Sequence, residues 1–262
     1  MSFGYCHLSV IPGRSEPSDK AEMINQVLFG EHFDIVDENE KWYRIKLDHD
    51  GYECWVDKYQ VKLLSEEDEQ DEKDEYLVDE LSFAIEDLAT NNDLNVVLGS
   101  LLPPLVGTQF IIGENKYKYE GGVVNFDEVQ SDQIASYAFL YLNTPYLWGG
   151  RTPFGIDCSG FTQMVYRMCG FALPRDSREQ ADEGVLIELV EEAVEGDLAF
   201  FASDYAKISH VGIILSDDPS EKKQIIHASG KVRVDDFDDH GIFNREKEEY
   251  SHNLVTIRRI AD

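Results

Sequence analysis

Up to about residue 64 the apolar positions come in short runs, several alternating with polar ones: Phe33-Asp34-Ile35-Val36, Trp42-Tyr43-Arg44-Ile45-Lys46-Leu47 and Tyr52-Glu53-Cys54-Trp55-Val56. Turn chemistry separates them at Asp37-Glu38-Asn39-Glu40 and Asp48-His49-Asp50-Gly51. A period of two between such turns predicts strands. Several short strands in so few residues favour a barrel, because closure removes exposed edges. From Glu66 to Glu75 nearly every position is acidic, as in a solvated linker or an exposed helical face. Leu77, Leu81, Ala84, Ile85 and Leu88 follow at helical spacing, which predicts an amphipathic helix ending near Asn91-Asn92. Residues 94–98, 108–112 and 116–119 then predict a second small β unit, punctuated by Gly99, Pro103-Pro104 and Gly113.

Beyond about residue 126 the two periods mix. Residues 134–142 read as a helix that stops before Asn143-Thr144-Pro145, since the residue ahead of a proline disfavours the helical conformation. After Asp157, Phe161, Met164, Val165 and Met168 recur at i, i+3, i+4 and i+7, with Gly170 as the stop. Apolar runs of strand character follow at 198–201, 211–215, 224–226 and 254–257. A helix laying its apolar face on an antiparallel sheet is an α+β arrangement. The expected division is a β unit at 1–64, an acidic linker helix with a second β unit at 65–125, and an α+β domain at 126–262.

Charge narrows the partners. The 262 residues hold 23 Lys+Arg against 52 Asp+Glu, a net charge of −29 spread over the whole chain. Such a surface repels phosphate backbones and anionic membrane faces, so neither nucleic acid nor a membrane is expected as a partner. No apolar stretch reaches the roughly 20 residues needed to span a bilayer. The opening Met1–His7 lacks the basic and apolar regions of an export signal, so a cytoplasmic location is expected. The four cysteines, Cys6, Cys54, Cys158 and Cys169, form neither a C-x-x-C pair nor a dense framework, so no disulfide scaffold, zinc ribbon or other cofactor is expected.

The candidate chemistry lies near Cys158. Tyr146-Leu147-Trp148-Gly149-Gly150 and Gly155-Ile156-Asp157 precede it. Cys158 then falls at the start of a helix, where unpaired amides and the dipole favour a thiolate and could also receive an oxyanion. His210 stands just before one apolar strand and His227 at the end of the next. Adjacent antiparallel strands would bring the two rings together, one as base toward Cys158 and the other as its orienting partner. Cys6 and Cys169 read as structural.

These segments, with Asp157-Cys158-Ser159-Gly160-Phe161, Arg175-Asp176-Ser177, Gly196-Asp197-Leu198, Ser209-His210-Val211-Gly212 and Ile226-His227-Ala228, resemble an NlpC-type cysteine peptidase domain from near Asp127 onward. The resemblance implies a papain-like α+β core, with Cys158 as nucleophile, His210 as base and acid, and His227 as the residue orienting His210. Upstream, Val10-Ile11-Pro12, Glu22-Met23, Leu28-Phe29-Gly30-Glu31 and Asp50-Gly51-Tyr52-Glu53-Cys54-Trp55 are similar to the bacterial SH3-like barrel of a subgroup of these enzymes. Cys54 stands where that pattern has glycine. The subgroup cuts the γ-D-Glu to diamino acid bond of murein peptides that have a free N-terminal L-Ala. The resemblance implies that Glu22, Tyr52 and Asp176 bind the free amine, that Trp148 and Ser177 line the cleft, and that Asp157 and Ser159 contact substrate. Two other readings remain from the residues: a thiol amidase or acyltransferase on another amide, and a non-catalytic wall-binding module.

Overall fold

The computed structural model describes residues 2–65, 75–202, 207–215 and 223–261. Two compact units emerge, one of residues 1–128 with 148–153 and the other of 129–147 with 154–262.

The first unit is all β. Strands Phe3–Cys6, Val10–Arg14, Met23–Leu28, His32–Glu38, Trp42–Leu47, Glu53–Asp57 and Val61–Leu64 form one antiparallel sheet. It closes over Ile11, Val27, Phe33, Ile45, Cys54 and Val56, the inward positions of the alternating runs. The second β unit does not have a core of its own: Tyr5 and Phe29, from the first barrel, are buried with Val78, Ile85, Val96, Phe110 and Tyr117. Phe29 meets Tyr117 edge to face, with centroids 5.6 Å apart.

The helix expected over 77–88 is not there. Strands Tyr76–Val78 and Ser82–Asp87 occupy that stretch, the second pairing with Asn92–Val97 as a hairpin. Asn91, read from sequence as a helix stop, takes a left-handed φ of 53° in the hairpin turn. Phe83 and Ile85 pack against the shared core at a period of two, and Leu81 lies in the exposed turn ahead of them. Pairing with a partner strand overrode a helical spacing that arose from two strands and a turn. The acidic run 66–74 lies outside the described residues.

In the second unit, helix α1 (Ile134–Leu140) and helix α2 (Cys158–Met168) fall where their periodicity places them. Gly170, with φ of 82°, ends the second as a left-handed stop. Strands Glu249–Arg259, Leu198–Ala202, His210–Ile214, Gln224–Ser229, Lys231–Asp238 and Gly241–Asn244 are hydrogen-bonded in that order, and the last pairs back to the first. Helix α2 packs on His210–Ile214 and Gln224–Ser229, and it is buried on every side, not only along its apolar stripe. Its polar residues find partners there: Thr162 donates to Gln180 Oε1 at 2.8 Å and Gln163 to the Leu173 carbonyl at 3.0 Å.

Trp148–Pro153, which the expected division puts in the 126–262 domain, group with the first unit. Arg151 makes a paired hydrogen bond to Glu31, Nη1 to Oε2 and Nη2 to Oε1, each 2.9 Å, and both side chains have 0% exposure. Gln26 accepts from the Arg151 amide and guanidinium at 2.8 and 2.9 Å. Gly149, with φ of 75°, lies against the Met23 carbonyl, where a Cβ would come within 2.6 Å.

Candidate active site

Cys158 is the first residue of α2 and is 6% exposed. Asp157 is the N-cap, its Oδ1 accepting from the Gly160 amide at 2.7 Å. The same carboxylate takes a two-point hydrogen bond from the buried Arg175, at 3.0 and 2.6 Å, and Arg175 also donates to Ser159 Oγ at 2.9 Å. The side chains of Asp157 and Ser159, expected to contact substrate, both bond to Arg175, a buried cation that must be paired.

Gln180 completes the brace. Its amide donates to the carbonyls of Ser159 and Pro174 at 3.0 and 2.8 Å, tying short helix α3 (Ser177–Gln180) to the start of α2. Between Arg175 and Gln180 lie Asp176, exposed at the N-cap of α3, and Ser177, half-buried. In the first unit Glu22 is exposed, Tyr52 half-buried and Trp148 59% exposed.

The histidines meet as expected. Gly212 pairs with His227, so His210, two residues earlier on the same face, is diagonal to it. A Cβ at Gly212 would come within 2.9 Å of the His227 Cβ. Glycine there lets the second ring lean across. His210 Nε2 and His227 Nδ1 are 2.7 Å apart, and His227 Nε2 lies 3.0 Å from Asp235 Oδ2. Arg233, opposite His227, brings Nη2 to Asp235 Oδ1 at 2.8 Å and Nε to Oδ2 at 2.7 Å. His252 stacks on His210, centroids 4.1 Å apart. Asp235, Arg233 and His252 were not singled out from sequence. The only trace of the first two is an Arg-x-Asp spacing of period two on the strand after His227.

Burial dominates the electrostatics. It pushes the Cys158 thiol up to about 12, with Asp157 adding to the rise, while the Val211 and Ser159 amides and Arg175 pull it down. The expected helix-start thiolate is thus opposed by desolvation. His210 is held well below the ordinary imidazole range by burial, then by His227 and His252. Burial also lowers His227, against the pull of Asp235. Burial would raise Asp235, but hydrogen bonds with His227 and Arg233 outweigh it and keep the carboxyl below its ordinary value. The Tyr146 phenol is raised by burial and by nearby Cys158 and Asp157. Cys6, Cys54 and Cys169, also buried and free, are raised by desolvation.

Among the described residues, His210, His227 and His252 each offer a ligand atom within 4.8 Å of the others. Both nitrogens of His227 are already engaged, by His210 and Asp235, so the group forms a hydrogen-bonded chain and not an open metal cage. Half-buried Asp238 with exposed Asp239 and His240 forms a second such group. No described helix is long and apolar enough to cross a membrane.

Residues 143–250 match the NlpC/P60 family, and residues 13–61 match the bacterial dipeptidyl-peptidase Sh3 domain. A gamma-D-glutamyl-L-lysine dipeptidyl-peptidase of Bacillus subtilis (strain 168) is 30% identical over 206 residues, covering 72% of this chain and 68% of that protein. Its counterpart from Bacillus cereus is 26% identical over 215 residues, and the match covers 64% of that protein. Dipeptidyl-peptidase 6 of Lysinibacillus sphaericus is 25% identical over 267 residues, covering 88% of this chain and 91% of that one. The solved structure of an NlpC/P60 family protein from Bacillus cereus superposes with a TM-score of 0.81 over 99% of both chains at 21% identity, a likeness of fold.

Proposed function

Because the chain belongs to the NlpC/P60 family of peptidases, we propose that it is a cysteine endopeptidase cutting the γ-D-Glu to diamino acid bond of free murein peptides, with release of L-Ala-γ-D-Glu. The observation that carries this reading is the buried His210–His227 pair beside the helix that begins at Cys158.

In the proposed reaction the Cys158 sulfur attacks the carbonyl carbon of the γ-amide as its proton passes to His210. The amides of Cys158 and Ser159 are the oxyanion donors, since the Gly160 amide is taken by Asp157. Collapse of the adduct breaks the C–N bond, and the His210 proton goes to the departing amine. Water then gives His210 a proton and attacks the thioester, and the sulfur leaves with that proton. Nothing in this sequence uses a metal, so activity should withstand a chelator and fall on thiol alkylation.

The free α-amine of the substrate supplies specificity. Asp176, held near the start of α2 by Arg175 and Gln180, is the proposed carboxylate partner, with Ser177 beside it. Glu22, Tyr52 and Trp148 are proposed contributors from the first unit. A peptide still joined to glycan lacks that amine, so the substrates are stems already freed, and the proposed setting is recycling in the cytoplasm.

The experiment is digestion of L-Ala-γ-D-Glu-L-Lys, of its diaminopimelate analogue and of each N-acetylated form, with products identified by mass spectrometry. Cleavage of the free peptides, at least about a hundredfold faster than of the acetylated ones, is the expected outcome. Equal rates would remove the amine pocket. Cys158→Ala retaining more than about a hundredth of wild-type activity would remove the cysteine mechanism. Asp176→Asn should erode the preference for a free amine without altering Cys158 alkylation.

A further inference from the structure

We propose that Asp235, held by Arg233, is a positioning residue that sets the tautomers of both histidines and so decides which nitrogen of His210 is basic. The proposal rests on the reading of Cys158 and His210 as nucleophile and base.

An ionised carboxylate only accepts hydrogen bonds. Arg233 has only donors to offer, and it brings Nη2 within 2.8 Å of Oδ1 and Nε within 2.7 Å of Oδ2, which keeps Asp235 ionised. The 3.0 Å contact with His227 therefore requires a proton on His227 Nε2. A neutral imidazole carries one N–H, so His227 Nδ1 must be the acceptor in its 2.7 Å contact with His210. His210 must then donate from Nε2. Its Nδ1 is left with a lone pair, the form able to take the thiol proton. Each link fixes the next, and the direction of the chain is set at its carboxylate end.

Three successive strands carry the parts: His210 on His210–Ile214, His227 on Gln224–Ser229, and Arg233 with Asp235 on Lys231–Asp238. Asp235 is 3% exposed and His227 1%. Water therefore cannot easily replace the carboxylate, and a wrong tautomer would persist. In the serine triad, an Asp-to-Asn exchange that keeps the geometry but reverses the tautomer lowers kcat by about 10⁴.

The test combines turnover on the free tripeptide with two-bond ¹H–¹⁵N correlation spectra of the imidazoles at pH 7.5, assigned by His210 and His227 variants. In the wild type both rings should carry the proton on Nε2. In Asp235→Asn the amide can donate to His227 Nε2, and both protons should move to Nδ1. The kcat should fall by more than about a hundredfold while KM changes by less than about threefold. A wild-type His227 protonated on Nδ1 would overturn the proposal even if the variant failed to fold. So would an Asp235→Asn enzyme within tenfold of wild type, or one that lost activity with its tautomers unchanged. If the wild type does not cleave the tripeptide, the substrate assignment fails, and the spectra still decide the tautomers.

Discussion

Three imidazoles stand together in the second unit, and burial is the chief reason each resists a proton. His252 is pushed down to about 4, and His210 and His227 are lowered as well. Each titrates below the value of about 6.5 that it has in an unfolded chain. Between those two values the unfolded chain binds the extra proton, so folding stability is full above the unfolded value and is lost as pH falls. Urea unfolding at pH 7, 6 and 5 should show this decline. His252→Phe, which keeps a ring against His210 but cannot titrate, should flatten the slope by up to about 1.4 kcal/mol per pH unit. An identical slope in the variant would show that His252 takes up its proton as readily in the folded protein as in the unfolded chain. Cys158, His210 and His227 were legible in the sequence because each sits at the edge of a regular element in a local motif. Asp235 and His252 were not: Asp235 reaches His227 only across the hairpin of Gln224–Ser229 and Lys231–Asp238, and His252 reaches His210 from Glu249–Arg259, a strand distant in sequence.

Two local devices hold the elements of the site in register. At the start of α2, Asp157 serves both as the cap and as the partner of buried Arg175. Asp157→Ala leaves that guanidinium uncompensated and should destabilise the second unit by about 3–5 kcal/mol. Ser159→Ala removes a hydroxyl that accepts from Arg175 and donates to Asp157 but leaves the ion pair intact, and should lose about 1–2 kcal/mol. Denaturant melts would check the order, and equal losses would mean that the ion pair contributes little. On the sheet, Gly212→Ala would force its Cβ against His227, separating the two rings and reducing turnover more than substrate affinity. Helices α1 and α2 were readable because their periodicity is satisfied within one segment. The false helix at 77–88 shows the converse: Leu77, Leu81 and Leu88 matched a helical spacing although they belong to strands and turns whose pairing partners lie elsewhere in the chain. The full enclosure of α2 was also invisible from its stripe, because Thr162, Gln163 and Arg167 look like a solvated face until their buried surroundings are known.

For the molecule as a whole, the chain crosses between its two units at residues 128–129, 147–148 and 153–154, and the segment between the last two carries Arg151. With 0% exposure on both sides of the Arg151–Glu31 pair, Glu31→Gln should lower the stability of the first unit by about 3–5 kcal/mol, read as an earlier melting transition. An unchanged melting curve would refute the strength assigned to the pair. The periodicity could not reveal this crossing, because the Trp148-Gly149-Gly150 motif reads continuously into Asp157-Cys158. Recombination is where the feature has its consequence. A peptidase module cut at residue 126 and grafted behind an unrelated barrel would arrive with a guanidinium whose carboxylate stayed behind. Its new neighbour would have to offer both an acid in place of Glu31 and a bare carbonyl in place of Met23 for Gly149 to rest on. Exchange of these parts between chains is therefore not free shuffling: the barrel and the six residues 148–153 must be inherited, or engineered, as a matched set.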